Sequence, residues 1–224
     1  MIIRKYGVTL KRLKADDIEL VRQMRNSEGI SRTMHYRGYI SPEMQVNWFH
    51  SINNKNNGYY IISHEGKKIG LIHGKNVDFE TRTCEGGIFI WEPSYIGSII
   101  PSLASVIMND WTFYLINFKA IYAKVLEGNQ TALNYNMLMG YKLCEPINND
   151  MGVQWLVLTK ERYFERMKSF RKNITHYTKD AELLSLNDLD ASDESAEEIE
   201  LFYKNLPPDI QEKADIVLAR TGPR

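Results

Sequence analysis

Cysteine is scarce in this chain: Cys84 and Cys144 are the only two among 224 residues. Neither lies at a metal-ligand spacing, so a disulfide framework and a metal centre are not expected, and both are read as buried thiols in strands. Long apolar runs are missing as well. No segment is long and apolar enough to span a bilayer, and no signal-peptide run opens the chain, so a cytoplasmic protein without a membrane partner is expected. Net charge is also absent, with 28 basic against 28 acidic residues. No basic stripe with interleaved aromatics occurs, which argues against nucleic acid as a partner. The balance is nevertheless uneven. From residue 179 onward twelve acids stand against five bases, a net −7 that leaves +7 on the rest, so the tail is a separate electrostatic object.

What is present is an apolar fraction of 43%, ample for one packed domain with an appendage. Period-two patterns predict strands at 8–13, 59–64, 68–76, 84–91, 119–126 and 153–159, and helical spacing predicts helices at 15–25, from 42 through 49, at 98–116 and at 131–139. Ser41 before Pro42 supplies an N-cap and first helical residue, and Glu65-Gly66 joins a hairpin. The order β-α-α-β-β-β-α-β-α-β defines a mixed α/β fold.

The most specific stretch is 119–144, KAIYAKVLEGNQTALNYNMLMGYKLC. A strand ends at Gly128-Asn129, a helix carries Leu133, Met137 and Leu138 as its expected packing face, and Gly140 stops it with the left-handed conformation of a C-cap. Asn129 and Asn136 lie about two turns apart, so both amides point the same way. An ordinary β-α-β unit shares this local pattern. The residues Asn129, Ala132, Gly140 and Tyr141 give it a resemblance to the GCN5-related N-acetyltransferase (GNAT) superfamily, whose cofactor half ends in a strand, an N-x-x-A helix and G-[FY]. The resemblance covers residues 7–160 and implies the GNAT fold with a C-terminal helical extension, acetyl-CoA as cosubstrate and no metal.

Several positions follow from that resemblance. The loop Tyr95-Ile96-Gly97-Ser98-Ile99 occupies the place of the family's pyrophosphate loop, where the unpaired N–H groups of a helix start favour an anion. It departs from the family pattern at Ile99 and Pro101, which stand where a second glycine and a small residue are usual. Phe89, Ile90 and Trp91 are implied to line the pantetheine arm, and Asn129 and Ala132 to complete the cofactor site. The helix slot that often holds a tyrosine acid is Asn136 here, read as a hydrogen-bonder to pantetheine or sulfur, with Tyr135 turned about 100° away. Glu85, Glu127 and His73 are the candidate bases. Each also fits a bland role, the carboxylates as solvated strand ends and the histidine as a satisfied outward-facing group.

Within the superfamily, Arg25-Asn26, Met34-His35-Tyr36, Ile40-Ser41 and Trp48-Phe49 resemble the acetyltransferases of nucleotide-linked aminosugars, near the ribosomal-protein-type subgroup. Arg25, Asn26, Met34, His35 and Tyr36 are therefore the candidate acceptor residues: guanidinium for diphosphate, rings for stacking. A protein N-terminal acetyltransferase and a catalytically silent CoA-binding member of the fold are the alternatives. The domain is expected over 1–172, with a basic amphipathic helix at 160–172. An acidic linker is expected at 173–194 and a helical appendage at 195–224, built from a Ser195–Glu198 capping box and a second helix at 209–218. Its acidic face is expected to dock on the basic body, on a second copy of the chain or on a pathway partner.

Overall fold

A computed structural model describes residues 1–212, except 181, 193, 205, 207 and 209, and leaves out the side chains of 198, 201 and 202. The chain opens on a hairpin that the sequence pattern missed. β1 (Ile2–Lys5) pairs antiparallel with β2 (Val8–Arg12) across Tyr6 and Gly7, whose φ of 54° and 75° are the left-handed values a two-residue turn requires. Four residues are too few for alternation to register as a strand. α1 (Ile18–Asn26) and the single turn α2 (Glu28–Ser31) follow, and α3 (Pro42–Ile52) starts as expected, with the Ser41 hydroxyl accepting the Met44 N–H at 3.1 Å.

β3 (Gly58–His64), β4 (Lys67–Asp78) and β5 (Thr83–Ile90) then form an antiparallel meander, and α4 (Ile100–Asp110) leads to β6 (Ala120–Leu126). α5 (Gln130–Met139), β7 (Lys142–Leu143), β8 (Val153–Thr159), α6 (Lys160–Thr178), β9 (Leu189–Asp190) and α7 (Ala196–Lys204) complete the described elements. All strands join one sheet, in the order β7-β8-β6-β5-β4-β3-β2-β1-β9. Its two faces bury separate cores, as alternation along each strand dictates. One face holds Ile62, Ile72, Ile121 and Leu156 against α4 and α6, and the other holds Tyr59, Ile61 and Leu71 against Val21 of α1 and Phe49 of α3.

Three expectations need correction. The helix expected over 98–116 is α only from Ile100 to Asp110. A π-helical turn, Trp111–Leu115, widens it, with the Ile116 N–H donating to the Trp111 carbonyl at 3.0 Å before Asn117 turns left-handed at φ 58°. Cys84 is buried in β5 as expected, but Cys144 lies past the end of β7 and is half-exposed. The third concerns the tail.

Residues 173–194 are not a linker. α6 continues to Thr178, β9 pairs with β1, and Leu184 and Leu186 enter the core. The acids that suggested solvation are matched to bases on the body: Glu194 to the Met1 amino group and to Arg12 at 2.5 Å, Asp180 and Asp188 to Lys5 at 3.0 and 3.6 Å, and Asp190 to Arg4 at 3.5 Å. The acidic segment from Asp180 to Glu194 thus docks on the basic residues of the first hairpin. Of the appendage, α7 is present; the Glu198 side chain and residues 213–218 lie outside the described residues.

One buried knot fastens tail, α4 and α6 together. Asp110 is fully buried and accepts from Arg171 at 2.5 Å, Tyr163 at 2.7 Å and the Leu184 N–H at 3.2 Å. Asp110→Ala leaves the Arg171 guanidinium without its carboxylate and is expected to cost about 3–5 kcal/mol of stability, read as a lowered urea midpoint.

Candidate active site

β5 and β6 are parallel neighbours that pair over only three positions: Thr83 with Ala120, Cys84 with Ile121, and Glu85 with Tyr122. β5 stays paired with β4 as far as Ile90, and β6 with β8 along its whole length. The two strands therefore part like a fork whose apex is the Glu85–Tyr122 pair. Beyond it, residues 86–90 present about 13 Å of free backbone edge at ordinary strand rise. Glycine is needed at the apex. A Cβ on Gly86 would stand 2.8 Å from Ile121 Cγ2, and one on Gly87 2.5 Å from His73 Cε1.

The open end of the fork faces the expected anion loop. After a 3-10 turn at Pro93–Tyr95, Gly97 takes φ 83° and α4 begins at Ile100. Ser98 Oγ accepts the Ile100 N–H at 3.3 Å, while the N–H groups of Gly97, Ile99 and Ser102 find no acceptor among the described residues. Ile99 turns into the core and Ile96 outward, so the branched side chain at 99 leaves the donors open. A free strand edge leading to unpaired donors at a helix start fits an acyl thioester carrying a pyrophosphate.

On α5 the polar seam holds the helix together. Asn129 Oδ1 caps the Ala132 N–H at 3.1 Å, and Asn136 Nδ2 donates to the Ala132 carbonyl at 2.8 Å, within its own helix. Tyr135 faces α4, donating to the Pro101 carbonyl at 2.9 Å and meeting Ser105 Oγ at 2.7 Å; burial pushes its phenol up to about 12. The apolar face is Leu133, Tyr135 and Met139, whereas Met137 and Leu138, expected inside, are exposed.

The opposite face of the fork carries the acceptor candidates. Glu85, at the apex, is buried and flanked by Lys75 at 2.9 Å, Lys124 at 3.5 Å and Asn76 at 3.4 Å. Lys124 also reaches Asp150 at 2.6 Å and lies 4.5 Å from the Trp155 ring centroid. Sequence reading missed Lys75, Lys124, Asp150 and Trp155, because only strand register brings them to Glu85. His73 stacks on Tyr59 at 4.8 Å, and its Nδ1 is shut from solvent without a partner. Phe89 and Trp91 lie on this face, and Ile90 packs on the other.

The remaining candidates divide. Arg25 lies 5.8 Å from the Phe89 ring centroid, its Nε sealed and unpartnered; burial lowers its pKa. Asn26 exchanges two hydrogen bonds of 2.8 Å with the Ile40 backbone and so closes the loop between α1 and α3. Met34 is half-buried, and His35 and Tyr36 are exposed. Glu127 is exposed at the far end of β6, about 16 Å of strand from Tyr122, so the two candidate carboxylates are not brought together. Among the described residues no cluster of three or more His, Cys, Asp or Glu could hold a metal ion, and no helix is long and apolar enough to cross a membrane.

A forked parallel pair with unpaired N–H donors at its open end suits a transferase that takes its acyl group from a coenzyme A thioester. A family model described as an acetyltransferase (GNAT) domain matches residues 8–142, and the chain belongs to that family of acetyl-CoA-dependent N-acetyltransferases. Spermidine N(1)-acetyltransferase of Escherichia coli K12 is 22% identical over 139 residues, which is 62% of this chain and 74% of that protein. A spermidine N-acetyltransferase from Vibrio cholerae, solved with CoA and spermine, shares the fold at a TM-score of 0.62 and 18% identity, over 71% of this chain and 99% of that one. A domain from Methanocaldococcus jannaschii does so at 0.58 and 18%, over 68% and 97%. The Escherichia coli and Vibrio cholerae relatives are spermidine N-acetyltransferases and not members of the aminosugar or ribosomal-protein subgroup that the loop motifs suggested.

The environment of His73 gives a pH prediction. Burial, with Lys75 and Arg25 nearby, lowers its imidazole to about 3, below the ordinary value of 6.5. The unfolded chain binds a proton near 6.5 that the folded chain refuses, so stability is full above that pH and declines as pH falls toward 3. Urea midpoints measured across this window should drop with acid in the wild type and drop less in His73→Phe.

Proposed function

We propose that this chain moves an acetyl group from acetyl-CoA to the amine of an acceptor that also carries negative charge, with a nucleotide-linked aminosugar as the substrate class. The observation that carries this reading is Arg25, a guanidinium on the acceptor face with a sealed Nε and no carboxylate partner among the described residues. A phosphate or carboxylate on the acceptor would satisfy it through charge-assisted hydrogen bonds. Acetyl-CoA supplies the activated acyl group. Glu85, at the fork apex, is the carboxylate best placed to hold the incoming amine and take its proton, and the N–H groups of residues 86–90 are the donors available to the carbonyl oxygen. His73 stays neutral and supports Tyr59 by stacking.

The names of the relatives favour spermidine instead. A polycation calls for a cleft richer in carboxylates than in cations, whereas here Arg25, Lys75 and Lys124 surround Glu85 and Asp150. The acceptor is tested by following release of the CoA thiol with a nucleotide-linked 4-amino sugar, spermidine and a peptide with a free N-terminus. The sugar nucleotide is expected to turn over fastest. Turnover of spermidine alone would restore the polyamine reading, turnover of the peptide alone would make this an N-terminal acetyltransferase, and absence of both turnover and acetyl-CoA binding would leave a silent member of the family. In Arg25→Met the KM for the sugar nucleotide is expected to rise about 10–100-fold, with the KM for acetyl-CoA unchanged.

A further inference from the structure

The two oxygens of Glu85 are unequally held. Oε1 is engaged by the Lys75 ammonium at 2.9 Å, whereas Oε2 has two long contacts, Asn76 Nδ2 at 3.4 Å and Lys124 Nζ at 3.5 Å. Lys124 stands on β6 two residues beyond Tyr122, the partner of Glu85 at the fork apex, so its side chain leaves the same face of the sheet. Its ammonium lies 4.5 Å from the ring centroid of Trp155, its cross-strand neighbour on β8. The short contact of Lys124 goes elsewhere. Asp150 Oδ2, in the loop between β7 and β8, takes Lys124 Nζ at 2.6 Å. That loop is tied down: the Asp150 N–H donates to Asn148 Oδ1 at 3.1 Å, and the Gly152 carbonyl accepts the Glu127 N–H at 2.9 Å.

The division matters because of what a lysine is. Its ammonium carries three donors and the same charge as the protonated amine that an acceptor brings, on a stem long and flexible enough to move. Tethered within reach of Oε2, it is an intramolecular rival for that oxygen, and tethering gives it a high effective concentration. A carboxylate that draws the rival aside keeps the oxygen open. We propose that Asp150 is a positioning residue for acetyl transfer: by holding the Lys124 ammonium it keeps that group from closing on Glu85 Oε2 and leaves this oxygen to the acceptor amine. This rests on the reading of Glu85 given above. Burial works to lower the pKa of Lys124, but the hydrogen bond to Asp150 and the charge of Glu85 outweigh it and raise the pKa, so the side chain stays charged. An ammonium has no lone pair with which to attack a thioester, so Lys124 is not itself consumed as an acceptor.

The test uses as acceptor whichever of the sugar nucleotide, spermidine and the peptide the wild-type chain acetylates fastest. In Asp150→Asn the KM for that acceptor is expected to rise about tenfold, with the KM for acetyl-CoA unchanged. The melting temperature is expected to hold, because an exposed ion pair adds little stability. Adding Lys124→Met to Asp150→Asn is expected to return the acceptor KM toward the wild-type value, since the rival is then gone. A role of Asp150 in folding its loop, or in touching the acceptor itself, would not be rescued in this way. An unchanged acceptor KM in Asp150→Asn overturns the proposal, and so does a double variant as impaired as the single one. Glu85→Gln separates the proposal from the reading beneath it. Wild-type turnover in that variant overturns the role of Glu85 and the proposal with it, whereas impaired turnover there beside an unchanged acceptor KM in Asp150→Asn overturns the proposal alone. If the wild type acetylates none of the three amines, the Glu85 reading and the proposal fall together.

Discussion

The parting of β5 from β6 after three pairs is the constraint on which the rest depends. A parallel pair normally continues because each unpaired N–H and C=O that is buried costs free energy. Here both strands are held from outside, β5 by β4 and β6 by β8, so neither needs the other beyond Glu85 and Tyr122. The fork is therefore stable as an open edge, and an extended ligand with amide groups can complete the ladder. Gly86 and Gly87 belong to the same constraint, since a side chain at either position would collide with Ile121 or His73.

The sheet then sorts the chemistry by face. Odd-numbered residues of β5 turn Glu85 and Phe89 toward α1 and α3, where Arg25, Lys75 and Lys124 make a cationic surround for one buried carboxylate. Even-numbered residues turn toward α4 and α5, where Cys84 and the site below Gly86 meet Tyr141. Period-two alternation thus places the Glu85 carboxylate and the Tyr141 phenol on opposite sides of one slot. His73 lies on the acceptor side yet is held neutral by burial, which makes it a wall of the cleft.

The tail extends the same sheet at its other end. β9 caps the edge that β1 would otherwise expose, and the matching of Glu194, Asp188 and Asp180 to Met1, Arg12 and Lys5 gives the −7 tail and the +7 body their partners. Asp110 ties this clasp to the C-terminal end of α4, the helix whose N-terminus carries the unpaired N–H groups at the open end of the fork. One rigid helix connects the two ends of the domain.

Local chemistry was legible in the linear order of residues. Ser41 before Pro42, Gly140 after Met139, Glu65-Gly66 between two β-runs and the N-x-x-A helix all act through neighbours a few positions away, so their elements were found where expected. What the chain alone could not reveal is whatever depends on partners distant in sequence. Glu85 meets Lys124 only through strand register, Asp110 meets Leu184 only through packing, and the acids after 179 resemble a solvated linker until the bases of β1 and β2 are brought beside them. Asn129 and Asn136 show the same division from the other side: their spacing on one helical face was legible, but that the first caps the helix and the second bonds its own backbone was decided by the folded geometry. Sequence determines periodicity, caps and turns because those interactions are local. Only the tertiary structure decides which polar groups are left unpaired, as Arg25 Nε and His73 Nδ1 are, because satisfaction of a buried group is a property of everything packed around it.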